Sequence, residues 1–103
     1  DATVTTLGDP LASDASPLRA DVMTAVRAAV LARSPGVTVM PGMSAGATDS
    51  LYFRALGVPS YGVSSLFMQA QDGFAHGLNE RVPVAGIPES LEQWDTVVRA
   101  LAK

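Results

Sequence analysis

Residues 16–41, SPLRADVMTAVRAAVLARSPGVTVMP, decide how the chain reads. Ser16 can cap a helix and Pro17 can take its first position, because that turn has no use for the missing proline N–H. Leu18, Val22, Val26, Ala29 and Val30 then recur on one helical stripe until Ser34-Pro35-Gly36 stops it. Val37 to Pro41 follows as a short, largely apolar run, the pattern of a strand buried on both faces. A helix followed at once by a buried strand predicts an α/β fold.

The alternation continues downstream. Gly42 to Thr48 is a loop of small residues, and Asp49 to Leu56 is a short helical turn ended by Gly57, with Pro59 beyond it. Tyr61-Gly62-Val63-Ser64 gives a second strand. Residues 65–86 carry Gly and Pro breakers and no sustained period, which predicts an irregular loop with an edge strand around Val82-Pro83-Val84. Ser90-Leu91-Glu92-Gln93 reads as a capping box, with Leu91, Trp94, Val97, Val98 and Leu101 as the apolar face of a C-terminal helix. Upstream, Ala2 to Leu7 suits a short strand, and Gly8 to Pro17 reads as a linker. This order predicts a mainly parallel sheet with helices packed on it and ligands gathered at the carboxyl ends of its strands.

Composition narrows the partners. Of 103 residues, 48% are hydrophobic and 17% charged, which argues against a disordered chain and hints at surface meant to be covered. The net charge of -3 and scattered basic residues leave no stripe for a phosphate backbone, so no nucleic acid partner is expected. The absence of Cys excludes disulfides, thiolate catalysis and Cys-ligated zinc. No apolar run approaches the roughly 20 residues that cross a bilayer, so no membrane partner is expected either. The chain begins at Asp1 without Met or a leader-like segment and reads as a piece of something longer; its compartment is not encoded here.

Two constellations could carry chemistry. Asp72-Gly73-Phe74-Ala75-His76-Gly77-Leu78-Asn79-Glu80-Arg81 holds the one imidazole, with a carboxylate four residues to either side. A neutral imidazole ligates zinc well, and flanking glycines allow close backbone approach. The plainer reading is an exposed loop His bonded to a neighbour. Gly46-Ala47-Thr48-Asp49-Ser50 leads into a helix start whose free N–H groups could receive a substrate carboxylate. The plainer reading there is an ordinary N-cap formed by Thr48 or Asp49. Arg54, one turn on, either assists an anion or lies in solvent. Tyr61 and Trp94 read as core residues.

Taken in order, Val39-Met40-Pro41, Gly46 to Arg54, Gly57-Val58-Pro59, Tyr61-Gly62 and His76-Gly77-Leu78-Asn79-Glu80-Arg81 resemble the end of metallopeptidase family 20. That family contains carboxypeptidases, aminoacylases and succinyl-diaminopimelate desuccinylases. The resemblance spans about residues 17–103, and the succession is more specific than any single motif. It implies a fragment of a three-layer α/β/α zinc-exopeptidase-like domain. Residues 1–16 would then be the end of an inserted dimerisation domain and its linker, and residues 17–103 the C-terminal part of the catalytic domain.

The chemistry it implies is hydrolysis of an amide bond next to a carboxylate-bearing residue, by water activated between two zinc ions and a Glu general base. Peptides or N-acyl amino acids are the implied substrates. A parallel sheet stripped of its neighbouring strands would expose an apolar edge and face, so a homo-oligomer is expected. His76 matches the last metal ligand. Gly46, Ala47 and Thr48 match a loop lying against the substrate, with Asp49 and Arg54 shaping it; Asn79 and Glu80 match positions that steady the imidazole. A catalytic zinc needs about three protein ligands, and this chain has one His and no Cys. The other donors and the general base are therefore expected upstream, and the isolated chain is expected to be inactive and to hold zinc poorly. Two other readings compete: a non-enzymatic small α/β binding or assembly module, and the remnant of a pseudoenzyme.

Overall fold

A computed structural model describes residues 1–8, 11–44 and 46–103. The chain divides into two units, one made of Asp1–Pro17 and Gly42–Gly62, the other of Leu18–Pro41 and Val63–Lys103.

The second unit is a pair of helices. Helix α1 spans Ala20–Arg33 and buries Ala25, Ala29 and Val30, a narrow small-residue face along which another helix can approach closely. It ends where Ser34-Pro35-Gly36 predicts: the Ser34 amide donates to Val30 O (2.8 Å), and Gly36 supplies a φ of 87° that side chains rarely adopt. Its start is later than expected. Arg19 flanks the first turn, Pro17 precedes the helix, and Leu18 is left in water.

Helix α3, which runs Gly86–Leu101, packs against α1 and buries Gln93 and Val97; α2, Ser50–Ala55, belongs to the first unit. It begins four residues before the expected capping box, because a turn at Pro83 and Val84 feeds straight into it through Gly86 N–H to Pro83 O (2.9 Å) and Ile87 N–H to Val84 O (3.1 Å). Pro88 lies in the first turn, where an absent N–H costs nothing. Ser90 is thus inside the helix, and its hydroxyl meets that of Ser65 at 2.6 Å.

Between the helices, Ser64 and Ser65 are anchored by side chains. Gln93 Nε2 donates to Ser64 O (2.9 Å), Arg33 Nη1 donates to Ser65 O, and Trp94 Nε1 donates to Ser65 Oγ (3.0 Å). Arg33 also gives Nε and Nη2 to Glu89 Oε2 at 3.0 and 2.7 Å and stands 4.2 Å over the Phe67 ring.

In the first unit, α2 spans Ser50–Ala55 and closes as a Schellman motif: Gly57 (φ 80°) donates to Arg54 O (2.9 Å) and Val58 to Phe53 O (2.9 Å). Segment 12–17 is bound to this turn and its exit by side chains. Ser16 Oγ donates to Ser60 O (2.9 Å) and accepts from Ser60 N–H (2.8 Å), Arg54 Nε donates to Ser13 Oγ (3.0 Å), and Tyr61 Oη donates to Pro17 O (2.7 Å).

The expected α/β fold with a mainly parallel sheet is not formed, and neither is a three-layer α/β/α arrangement: the regular structure of the described residues is all helical, with no strand among them. The segments Ala2–Leu7, Val37–Pro41, Tyr61–Ser64 and Val82–Val84 all lack ladder partners. A buried strand needs neighbours on both edges and a layer on each face. Here Met40 is 76% exposed, Val4 and Leu7 stand in water, and Ser64 and Ser65 spend their carbonyls on Gln93 and Arg33. The buried apolar core is correspondingly small: Ala25, Ala29, Val30 and Val97.

Candidate functional site

The candidate residues lie on two loops that belong to different units. In the first unit, the small-residue loop leads into α2. Gly46 N–H donates to Ser44 Oγ (3.2 Å), and Gly46 has only that hydroxyl near the position a Cβ would take. The Thr48 hydroxyl accepts the Ser50 amide (3.2 Å), and Thr48 O accepts Leu51 N–H (3.1 Å). Thr48 therefore does local capping work of the kind its residue type predicts, although Asp49 occupies the formal flanking position without a side-chain cap bond. Gly46, Ala47, Thr48 and Asp49 all remain exposed.

Arg54 lies in the last turn of α2. It is half-buried and lines an open hollow of about 440 Å³ with Ser13, Asp14, Pro17 and Pro59. Its Nε is committed to Ser13, so Arg54 holds the incoming segment to α2, a role that residue type alone does not reveal.

In the second unit, a turn of 3-10 helix at Ala70–Asp72 opens the imidazole loop. Phe74 O accepts Gly77 N–H (2.8 Å) across a β-turn whose third residue is His76, at φ 62°. A non-glycine residue rarely holds that left-handed conformation, and His is among those that tolerate it better. Gly77 is favoured here, since a Cβ on it would stand 3.0 Å from Phe74 O, a tight contact with backbone. The loop is clasped by Arg81, which donates to Asp72 Oδ1 (2.6 Å) and stands 5.0 Å over the Phe74 ring. Asp72 is thereby turned to Arg81 rather than to the imidazole. Glu80 N–H donates to Gly77 O (3.2 Å), closing the next turn, and His76, Asn79 and Glu80 are exposed.

The clasp thus presents His76 at the tip of a closed loop with its ring open to a further partner. Among the described residues, no three His, Cys, Asp or Glu side chains are grouped so that they could hold a metal ion. A catalytic zinc takes about three protein ligands, so these residues do not by themselves fit one. Among the described residues, Arg33 instead gathers a cluster of side-chain hydrogen bonds that sequence reading missed; its local signal was a basic residue in the last turn of a helix. No described helix is long and apolar enough to cross a membrane. Comparison with known protein families, curated proteins and solved structures finds no match to this chain.

Proposed function

We propose that this chain is a C-terminal segment of a zinc-dependent amidohydrolase or peptidase that cleaves an amide bond next to a carboxylate-bearing residue, acting on a peptide or an N-acyl amino acid. The observation that carries the reading is the ordered succession from Val39 through Gly46-Ala47-Thr48-Asp49-Ser50, Arg54 and Gly57-Val58-Pro59 to His76-Gly77-Leu78-Asn79-Glu80-Arg81. Accidental occurrence of one such motif is common, whereas the whole series in sequence is not.

The local geometry is compatible with the roles proposed. A loop tip that holds an imidazole outward suits a single donor to a centre built mostly from other residues, and the Arg81 clasp limits the loop's freedom before any partner arrives. The exposed Gly46 and Ala47 leave backbone accessible to a substrate, while the hydroxyl of Thr48 is shared with the start of α2. The general base and remaining donors belong, in this reading, to a longer polypeptide.

The test is the intact reading frame. It should encode a His-x-Asp motif and a Glu-Glu pair before Asp1, and its purified product should hydrolyse N-acyl amino acids or C-terminal peptide bonds in a manner abolished by His76→Ala. Absence of those partners, or an intact protein without hydrolytic activity, would sink the proposal. Turnover by the 103-residue chain alone would contradict the shared centre it requires.

A further inference from the structure

Two opposite charges line one hollow of the first unit without meeting. Asp14 and Arg54 both border the open space of about 440 Å³ between segment 12–17 and the exit of α2, yet among the described residues neither forms an ion pair. Arg54 spends only Nε, on Ser13 Oγ at 3.0 Å, so both of its Nη groups are left without a partner among those residues. Ser13 accepts that bond and still has its own hydroxyl proton to give.

The walls of the hollow are held before anything enters it. Ser16 is bonded twice to Ser60, Tyr61 Oη donates to Pro17 O (2.7 Å), and Arg54 grips Ser13, so segment 12–17 is tied to the turn and exit of α2 at three points. Pro17 and Pro59 stiffen the rim, since each has its φ fixed by its ring. A ligand would therefore meet a formed site and need not order it. We propose that this hollow binds a free α-amino acid, with its carboxylate on Arg54 and Ser13, its ammonium on Asp14, and a small apolar side chain against Val58 and Pro59. The inference is independent of the proposed hydrolytic function, because it needs no metal and no residue of the His76 loop.

Charge selects this class of ligand over others. Phosphate would satisfy Arg54 but stand against Asp14, and like charges placed together cost affinity. A carboxylate without an ammonium, including an acidic side chain of a longer polypeptide, meets the same opposition. An α-amino acid bears both charges on neighbouring atoms of one carbon. It gives each protein charge an opposite neighbour and brings no net charge into the hollow. The two free Nη groups can hold its carboxylate through parallel N–H bonds, the geometry for which a guanidinium is suited. Asp14 is exposed and Arg54 half-buried, so solvent weakens both contacts and the dissociation constant should be on the order of millimolar.

Titration of the isotope-labelled 103-residue chain with L-alanine, followed by amide NMR, tests the proposal. The expected result is saturable shifts at the Ser13, Asp14 and Ser60 amides and none in the His76 loop. N-acetyl-L-alanine retains the carboxylate alone and L-alaninamide the ammonium alone; each should bind about fivefold more weakly than L-alanine. Arg54→Gln would also release Ser13, so Asp14→Asn is the informative variant, its side chain having no hydrogen bond or ion pair among the described residues to lose. It should weaken L-alanine about fivefold and bind N-acetyl-L-alanine no more weakly than the parent chain does. Absence of saturable shifts at these amides overturns the proposal. So does binding of N-acetyl-L-alanine as tight as that of L-alanine, or an affinity for L-alanine that Asp14→Asn leaves unchanged.

Discussion

One hydroxyl joins Ser16 to Ser60 through two hydrogen bonds: Ser16 Oγ gives its proton to Ser60 O at 2.9 Å and receives Ser60 N–H at 2.8 Å. It satisfies both backbone groups of a residue that has no ladder partner. In Ser16→Ala both bonds are lost and the half-buried Ser60 amide must find water, at a cost of about 1–2 kcal/mol. Hydrogen exchange at the Ser60 amide should accelerate by a factor of about 5–30. Unchanged exchange would show that the pair does not hold the segment.

Arg33 unites the helix pair chemically as Ala25 and Ala29 do sterically. Its guanidinium reaches Ser65 O, Gln93 Oε1 and Glu89 Oε2 and covers Phe67, and its side chain is only 13% exposed. Arg33→Met preserves much of the apolar stem but leaves Ser65 O and Gln93 Oε1 without their charged donor, and should destabilise by about 2–3 kcal/mol in urea unfolding. Arg33→Lys should recover only part of this, because an ammonium cannot serve three acceptors on a planar fork. Equal stability of Arg33→Met and the parent chain would refute this role.

Helix α3 has one pH-sensitive surface pair. The hydrogen bond from Arg99, aided by its charge, holds the Asp95 carboxyl below the ordinary aspartate value of 3.8. With the folded-state value lowered, the pair's contribution is present above the unfolded-state value and fades as pH falls through the folded one. Both side chains are exposed, so the effect on stability should be small and weakened by salt. A carboxyl titration followed by NMR should show the Asp95 midpoint rising in Arg99→Gln, and no change would show the pair to be unformed in solution.

What the sequence reveals about this fold is what chemistry settles within a turn or two. The stop at Ser34-Pro35-Gly36 and the Gly57 exit of α2 were legible because each depends on residues adjacent in the chain. The strands were not, because a run such as Val37 to Pro41 becomes a strand only when another strand pairs with it, which its own residues do not encode. Ser16 was misread for a related reason: a serine before a proline looks like a helix cap, whereas its hydroxyl serves Ser60, 44 residues away. In α3 the apolar period was plain, but not which stripe would be buried, since Gln93 owes its place to Ser64 O and Arg33. Of the candidate site, capping by Thr48 was legible locally, while the clasp from Arg81 to Asp72 across nine residues was not.

The conformation of His76 separates its structural from its functional role. At φ 62° its Cβ is held where glycine is more at ease than any side chain, so His76→Gly should relieve about 1 kcal/mol of strain and slow exchange of the Gly77 amide, which donates to Phe74 O at 2.8 Å. Gly77→Ala should act in the opposite direction, because its new Cβ would stand 3.0 Å from that same oxygen and push it back by a few tenths of an ångström, loosening the turn. A loop residue with only a structural duty would be replaced by glycine without loss. If the imidazole is a donor in a shared metal centre, the glycine variant of the intact protein will have a better-ordered loop and no hydrolytic activity. Measuring amide protection and turnover on that one variant distinguishes the two, and full activity alongside a stabilised turn would remove His76 from the chemistry.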